Sequence, residues 1–274
     1  MLTINNKAEG DYTLLIFFSL VAAFQFLFLN DIKAQTDEEK GLEIAIEIDK
    51  RDSGFEDSTS DLKMILRNKN GDVSTREMRN KTLEVPDDGD KSLVIFNTPR
   101  DVKGTALLSF THKNSPDDQW LYLPALKRVK RIASNNKSGP FMGSEFAFED
   151  ISSQEVEKYT YKYLKDEVYE NTDCFLVERY PVDKYSGYSK QIVWIDKAEY
   201  RIMKTDFYDR KNELLKTLTY HKYQQYLNKF WRAHEMRMVN HLTGKSTELL
   251  FSNYTFQNGL NDRDFNKNSL QRAR

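Results

Sequence analysis

The sequence predicts a mainly β protein, a single antiparallel sheet that curls into a half-barrel with a few helices over its concave face. Three observations carry this. From Ser58 onward, short runs alternate apolar and polar residues with the period of two that marks strands. Turn residues separate about a dozen such runs at meander spacing, and a long antiparallel meander curls. Runs such as Tyr159-Thr160-Tyr161-Lys162-Tyr163 put aromatics on one face and polar groups on the other. A strongly curled sheet of this kind has an inner face that needs cover.

The elements follow in order. Thr36-Asp37-Glu38-Glu39 has the form of a capping box and predicts a helix from about Asp37 to Arg51, with a strand as the competing reading. Leu62, Met64 and Leu66 alternate, and Asn68-Lys69-Asn70-Gly71-Asp72 is a hairpin turn centred on Asn-Gly. Strands are expected at Val73–Val85, Ser92–Asn97, Thr105–Phe110, Trp120–Leu123 and Leu126–Ile132. Residues 139–156 break the rhythm with glycines and acidic and serine pairs, which reads as a loop with short helical turns. Longer strands then run from Tyr159 to Phe256, with turns at Asp209–Asn212 and Thr243–Lys245. The polar end, Asn261–Arg274, is expected to close with a short docking helix through Phe265 and Leu270. The helix after Thr36 and the segment 139–156 are the only candidates to cover the concave face. The space between cover and sheet is a natural apolar cavity.

The amino terminus reads as an export signal over residues 1–34. Leu14–Leu29 is apolar apart from Ser19 and Gln25, and Ala34 offers a small residue for cleavage before Gln35. Lys7 is opposed by Glu9 and Asp11, and an uncleaved anchor is the alternative. Residues 35–274 then form a single domain. Without residues 1–34 the chain carries 39 basic and 39 acidic residues, a balance that argues against nucleic-acid binding. The one cysteine, Cys174, excludes an internal disulfide and a cysteine-rich metal site.

The stretch from Asp117 to Asp150 concentrates the functional signal. It holds an aromatic-aliphatic run (Trp120, Leu121, Tyr122, Leu123), a break at Pro124 and a basic run (Lys127, Arg128, Lys130, Arg131). Apolar surface beside cations suits a ligand with an apolar body and an anionic head. A core strand followed by a solvated strand is the other reading. Trp120, Tyr122, Leu126 and Val129 are expected at the wall or mouth of the cavity. Lys127, Arg128, Lys130 and Arg131 are expected to bind a headgroup or to dock on a partner. Phe141, Met142 and Phe146 are expected in the lid.

The phrases RDSGFEDSTSDLKMIL (51–66), DKSLVIFNTPRDVKGTALLSF (90–110) and DQWLYLPALKRVKRIASNNKSGPFMGSEFAFEDI (118–151) resemble the outer-membrane lipoprotein-sorting protein family. These are LolA-like exported proteins associated with RND-type transporters. The resemblance spans about Gly41 to Phe256. It implies an unclosed LolA/LolB-like β-barrel with helices in its concave mouth. It also implies a carrier that shields lipid or lipoprotein acyl chains in the periplasm of a Gram-negative bacterium. A non-carrying module docked on an RND-type inner-membrane transporter is the alternative.

No enzymatic constellation accompanies this reading. The four histidines form no HExxH or HxH pair, and no GxSxG, GxGxxG or GxxxxGK[ST] motif occurs. Cys174 reads as a small buried hydrophobe. The expectation is a monomeric binding protein without catalytic residues, metal or cofactor.

Overall fold

The two halves of the chain each form an antiparallel meander, and the first and last strands join them into one sheet. In the computed structural model, residues 1–3 and 34–272 are described. The expected export signal therefore lies, but for its ends, outside the described residues. By contacts the chain divides into Met1–Thr36 and Asp37–Arg274, and the fold is that of the second unit.

Helix α1 (Asp37–Asp52) opens it, as the capping pattern predicts. The first meander is β1 (Asp57–Arg67), β2 (Val73–Leu83), β3 (Lys91–Thr98), β4 (Ala106–Phe110), β5 (Asp118–Leu123) and β6 (Arg128–Ile132). The second is β7 (Tyr159–Tyr169), β8 (Thr172–Pro181), β9 (Tyr188–Asp196), β10 (Ile202–Asp209), β11 (Leu214–Tyr226), β12 (Phe230–Asn240) and β13 (Ser246–Phe256). The spatial order runs from β6 down to β1, across to β13, and down again to β7. The seam pairs Leu62 with Phe251 and Met64 with Leu249. The edges β6 and β7 do not pair with each other, so the sheet is an unclosed half-barrel.

This topology explains where the cover comes from. The connection from β6 to β7 must cross from one edge of the sheet to the other. It does so over the concave face, as a series of short 3-10 turns between Ser134 and Lys158. Phe141 and Phe146 from this connection are buried with Phe96, Leu107, Leu121, Ile132, Phe207 and Met238 in the main core. The connection thus plugs one part of the half-barrel.

Helix α1 covers another part. Ile44 and Ile48 pack on Val177, Val193 and Ile195 of β8 and β9. Gly41 lies against the β7 backbone: a Cβ there would meet Tyr163 N at 2.8 Å and Lys162 N and C at 2.9 Å. Lys40 Nζ sits 3.4 Å from the centre of the Tyr163 ring, and Arg51 stacks on Tyr200 at 4.3 Å. Because backbone cannot yield as a side chain can, Gly41→Ala is expected to lift the first turns of α1. The cost should be about 1–3 kcal/mol, the range of overpacking substitutions. Hydrogen exchange would then speed up in residues 38–48 while β1 and β13 stay protected.

A second apolar cluster lies on the opposite, convex face. Leu93, Ile95, Ala106 and Leu108 are covered there by Phe265 and Leu270 of the C-terminal segment. That segment is fixed at its start by Asp57, which accepts the N–H groups of Asn258, Gly259 and Leu260 at 2.9–3.0 Å. The docking role expected of Phe265 and Leu270 is what the structure shows, as a 3-10 helix at Lys267–Arg272.

Candidate functional site

Where α1 bridges the concave face beside the plug, it roofs a cavity. Its floor is apolar: Val177, Val193, Ile195 and Ile202, with Ile48 and Ala45 from the helix above. The space measures about 310 Å³. A second lobe of about 320 Å³ shares Ile48, Asp52, Phe55, Asp90 and Ile202 with the first and extends toward Tyr220, Tyr223 and Tyr254. Each lobe falls within the lower range of small-ligand clefts, about 300–1,000 Å³.

The rim is acidic. Asp49 and Asp52 come from the exposed end of α1, Glu84, Asp88 and Asp90 from the β2–β3 connection, and Glu155 from the segment before β7. Several of these are already engaged. Asp52 pairs with Arg232. Asp88 bonds His112 Nδ1 at 2.6 Å, which holds its carboxyl below the usual range. Glu84 accepts the N–H groups of Gly54 and Glu56 at 2.6 and 2.8 Å.

Asp90 and Glu155 differ. Glu155 is only 7% exposed; it accepts the Thr111 hydroxyl at 2.9 Å and, among the described residues, forms no ion pair. The Asp90 carboxylate accepts long bonds, 3.3 Å from Val85 N and 3.4 Å from Ser153 Oγ. Burial pushes the Asp90 carboxyl up to about 7, and the neighbouring Glu155 charge adds to the shift. The Glu155 carboxyl is likewise raised by burial. The cations on this lobe are Lys113 and Arg179. Arg179 donates Nε to Gln191 at 2.8 Å and stacks over Tyr159 at 4.6 Å.

The sequence-predicted residues lie elsewhere. Trp120, Tyr122 and Val129 pack on the convex side, against the cluster that holds Phe265 and Leu270. The inward side of β5 belongs to Gln119 and Leu121, which meet the plug. Leu126 is exposed, in a 3-10 turn at Pro124–Leu126, and Lys127 follows in a left-handed conformation, so the basic strand begins at Arg128. Arg128, Lys130 and Arg131 are exposed along the β6 edge, with Arg131 paired to Asp118. None of these residues lines either lobe. The aromatics of this stretch thus lie on the convex face and its cations along the β6 edge, apart from the two lobes. Carboxylates and cations both line the cavity: Lys113 and Arg179 in the first lobe, Arg51, Arg201, Lys229 and Arg232 in the second. Phe141 and Phe146 are buried in the core, with Met142 packed against it, so they fill the half-barrel beside the cavity.

Other chemistry is sparse. Among the described residues no grouping of three or more His, Cys, Asp or Glu could hold a metal ion. Cys174 is buried on the convex side with Leu176 and Trp194, and burial pushes its thiol up to about 11, a poor nucleophile. No described helix is long and apolar enough to cross a membrane. A wider depression of about 640 Å³ beside the plug is lined by Phe146, Tyr188 and Leu215 together with polar groups such as Ser144, Lys216 and Asn240.

An unclosed antiparallel half-barrel, plugged by its own crossover and roofed by one helix over an apolar floor, is a LolA-like fold. The chain belongs to the outer-membrane lipoprotein-sorting protein family. It is 62% identical to an outer-membrane lipoprotein-sorting protein domain from Vibrio parahaemolyticus, with a TM-score of 0.84 over 85% of this chain and 99% of that one. A DUF1329 family protein from Desulfovibrio piger is 30% identical, with a TM-score of 0.81 over 86% of this chain and 99% of that one. A LolA superfamily protein from Nitrosomonas europaea shares the fold at 20% identity, with a TM-score of 0.68 over 83% and 98%. A family model described as an uncharacterized protein matches residues 88–272. No curated protein matches the chain.

Proposed function

We propose that this protein is an exported, monomeric carrier in the periplasm of a Gram-negative bacterium. It binds the acyl chains of a lipid or lipid-modified protein in the cavity beneath α1, for transfer toward the outer membrane, and it performs no catalysis. The observation that carries this reading is the two-lobed cavity with an apolar floor. Each methylene buried there contributes about 0.8 kcal/mol, so a single acyl chain supplies ample affinity. The Vibrio relative's description as a lipoprotein-sorting domain supports the direction of transfer. The cover is two-part, a helix that rests on β7, β8 and β9 and a plug held by buried phenylalanines and polar bonds. Release then follows from a partner that lifts the helix or binds the cargo better.

The test is titration of the purified protein with a fluorescent fatty-chain probe, alongside mass spectrometry of its organic extract. Saturable binding is expected. Ile195→Trp, which fills the floor, should weaken it about ten-fold or more with the fold retained. A folded protein that neither yields lipid nor binds the probe would overturn the carrier reading. In that case the exposed cations of the unpaired β6 edge favour the other reading, a module docked on an RND-type transporter. Transporter association would then weaken on Arg128→Ala and Lys130→Ala and become less sensitive to salt.

A further inference from the structure

We infer that the second lobe of the cavity receives the head of the cargo, and that this head is uncharged and bears several hydroxyls, as a sugar or a glycerol does. The inference rests on the carrier reading and adds the chemistry of the head. Its basis is a row of neutral polar side chains on the concave face. The cross-strand pairs Ser58–Thr82, Thr82–Ser92, Ser92–Ser109 and Ser109–Gln119 run in register from β1 to β5. Two residues further along each strand, on the same face, comes the next row. Over β3 to β5 that row is hydrocarbon, with Val94, Leu107 and Leu121 in the main core. Over β1 and β2 it is polar again, as the pair Ser60–Asn80.

The two ends of the polar row meet different things. At the β5 end the plug supplies partners: Gln119 Nε2 donates to the Phe148 carbonyl and to Ser152 Oγ, each at 3.0 Å. At the β1–β2 end stands the second lobe, lined by Ser58, Asn80 and Thr82. Ser58 is only 6% exposed, yet among the described residues no hydrogen bond reaches its hydroxyl, nor the side chains of Asn80 and Thr82. The Ser60 hydroxyl opposite Asn80, 4% exposed, is likewise without a protein partner. Buried hydroxyls and amides are costly unless bonded, and for the three that line the lobe the bonds come from what the lobe holds. Solvent makes them before cargo enters, and hydroxyls on the head take them over.

The charges of this lobe are engaged within the protein. Arg51, Arg201, Lys229 and Arg232 line it beside Asp52, Asp90 and Glu199. Arg51 bonds Glu47 at 2.7 Å, Arg201 bonds Asp196 at 2.9 Å, and Arg232 pairs with Asp52. Lys229 donates to the Ser53 carbonyl, and Glu199 accepts the Trp231 indole N–H at 3.0 Å. Asp90 accepts Val85 N and Ser153 Oγ. With both signs present and mostly paired, a single charge on the head gains little here. Tyr200, Tyr223 and Trp231 line the same lobe, and aromatic rings suit the C–H faces of a sugar. The two lobes share Ile48, Phe55 and Ile202. A chain on the aliphatic floor of the first can therefore continue into a head in the second.

The experiment compares probes of one chain length, below their micelle concentrations: dodecyl glucoside, its tetra-O-methyl ether, dodecanol, dodecyl sulfate and dodecyltrimethylammonium. Each displaces a neutral fluorescent fatty-chain probe from the protein. The glucoside is expected to bind about ten-fold or more tightly than its methyl ether, which has the same ring without O–H donors. Neither ionic probe should bind more tightly than the glucoside. Ser58→Ala with Thr82→Val should bring the glucoside and its ether level. Dodecanol binding and the urea midpoint should stay unchanged, because these hydroxyls bond no other part of the protein. Asn80→Leu is the alternative variant, and the comparison of glucoside with ether on the unaltered protein needs neither. Monolauroylglycerol against methyl laurate then separates the two sources of such a head. A preference there extends the inference to glycerol heads; indifference, with the glucoside preference intact, confines it to sugars. An ether that binds as tightly as the glucoside, or an ionic probe that binds more tightly, would overturn this inference and leave the carrier reading standing. A folded double variant that keeps the full preference would do the same. Failure of every probe to bind would overturn both.

Discussion

Lys216→Met is expected to destabilise the protein by about 3–5 kcal/mol, the range for removing one partner of a buried ion pair. Lys216 and Asp150 form that pair: their side chains are 5% exposed each, with Nζ 2.7 Å from Oδ2. Lys216 also donates to the carbonyl of Glu145 at 2.9 Å. Asp150 accepts the Ala147 N–H at 2.7 Å and the Tyr188 hydroxyl at 2.8 Å. The lysine comes from β11, the tyrosine from β9, and the aspartate from the plug. The pair therefore fastens the crossover to the sheet, and its loss leaves Asp150 buried and unpaired. The measurement is urea unfolding of Lys216→Met, Asp150→Ala and the double variant. The double variant should be less destabilised than the sum of the singles, because it leaves no orphaned charge. A change below about 1 kcal/mol in either single variant would mean that the phenylalanines alone hold the plug. The rest of the fastening points the same way. Glu149 accepts Ser186 Oγ and Gly187 N, and Gln119 donates to the Phe148 carbonyl and Ser152 Oγ.

The strands, the opening helix and the need for cover on the concave face were legible because each depends on local pattern. Alternation identifies β1 through Leu62, Met64 and Leu66, and the Thr36 box identifies α1. The site was not legible, and β5 shows why. Trp120, Tyr122, Leu121 and Leu123 make both faces of that strand apolar, so alternation cannot say which face is concave. The answer depends on two distant segments. The plug takes Leu121, and the C-terminal segment around Phe265 takes Trp120 and Tyr122. The basic run has a local explanation as well. An unpaired edge strand rich in lysine and arginine resists pairing with another chain, which suits β6 as the last strand of the sheet. The acidic rim had no sequence signature. Asp49, Asp90 and Glu155 are far apart in the chain, and only the joining of α1, the β2–β3 connection and the segment before β7 brings them to one cavity.

That convergence has a consequence for stability. The Asp90 carboxyl titrates at about 7 in the folded protein against 3.8 when exposed, chiefly through burial and then through the Glu155 charge. Between those values the folded state holds a proton that the unfolded state has lost. Stability from this group is therefore full below about pH 4 and is lost as the pH rises through 7. A ten-fold change in proton affinity corresponds to about 1.4 kcal/mol, but solvent at the cavity mouth screens part of the total, which leaves an expected effect of about 2 kcal/mol. Glu155, also raised by burial, acts in the same sense. Asp88 and Glu235 act oppositely. His112 and Lys222 hold them low, so they cost stability only as the pH falls below the ordinary carboxylate range. The protein without cargo should accordingly become more stable as the pH is lowered from 8 to 6. Asp90→Asn should flatten that slope and raise the urea midpoint at pH 8 by the equivalent of about 2 kcal/mol. A slope that is unchanged by Asp90→Asn would assign the titration to another group. A wild-type protein with no slope would mean that water or a cation already compensates the carboxylate.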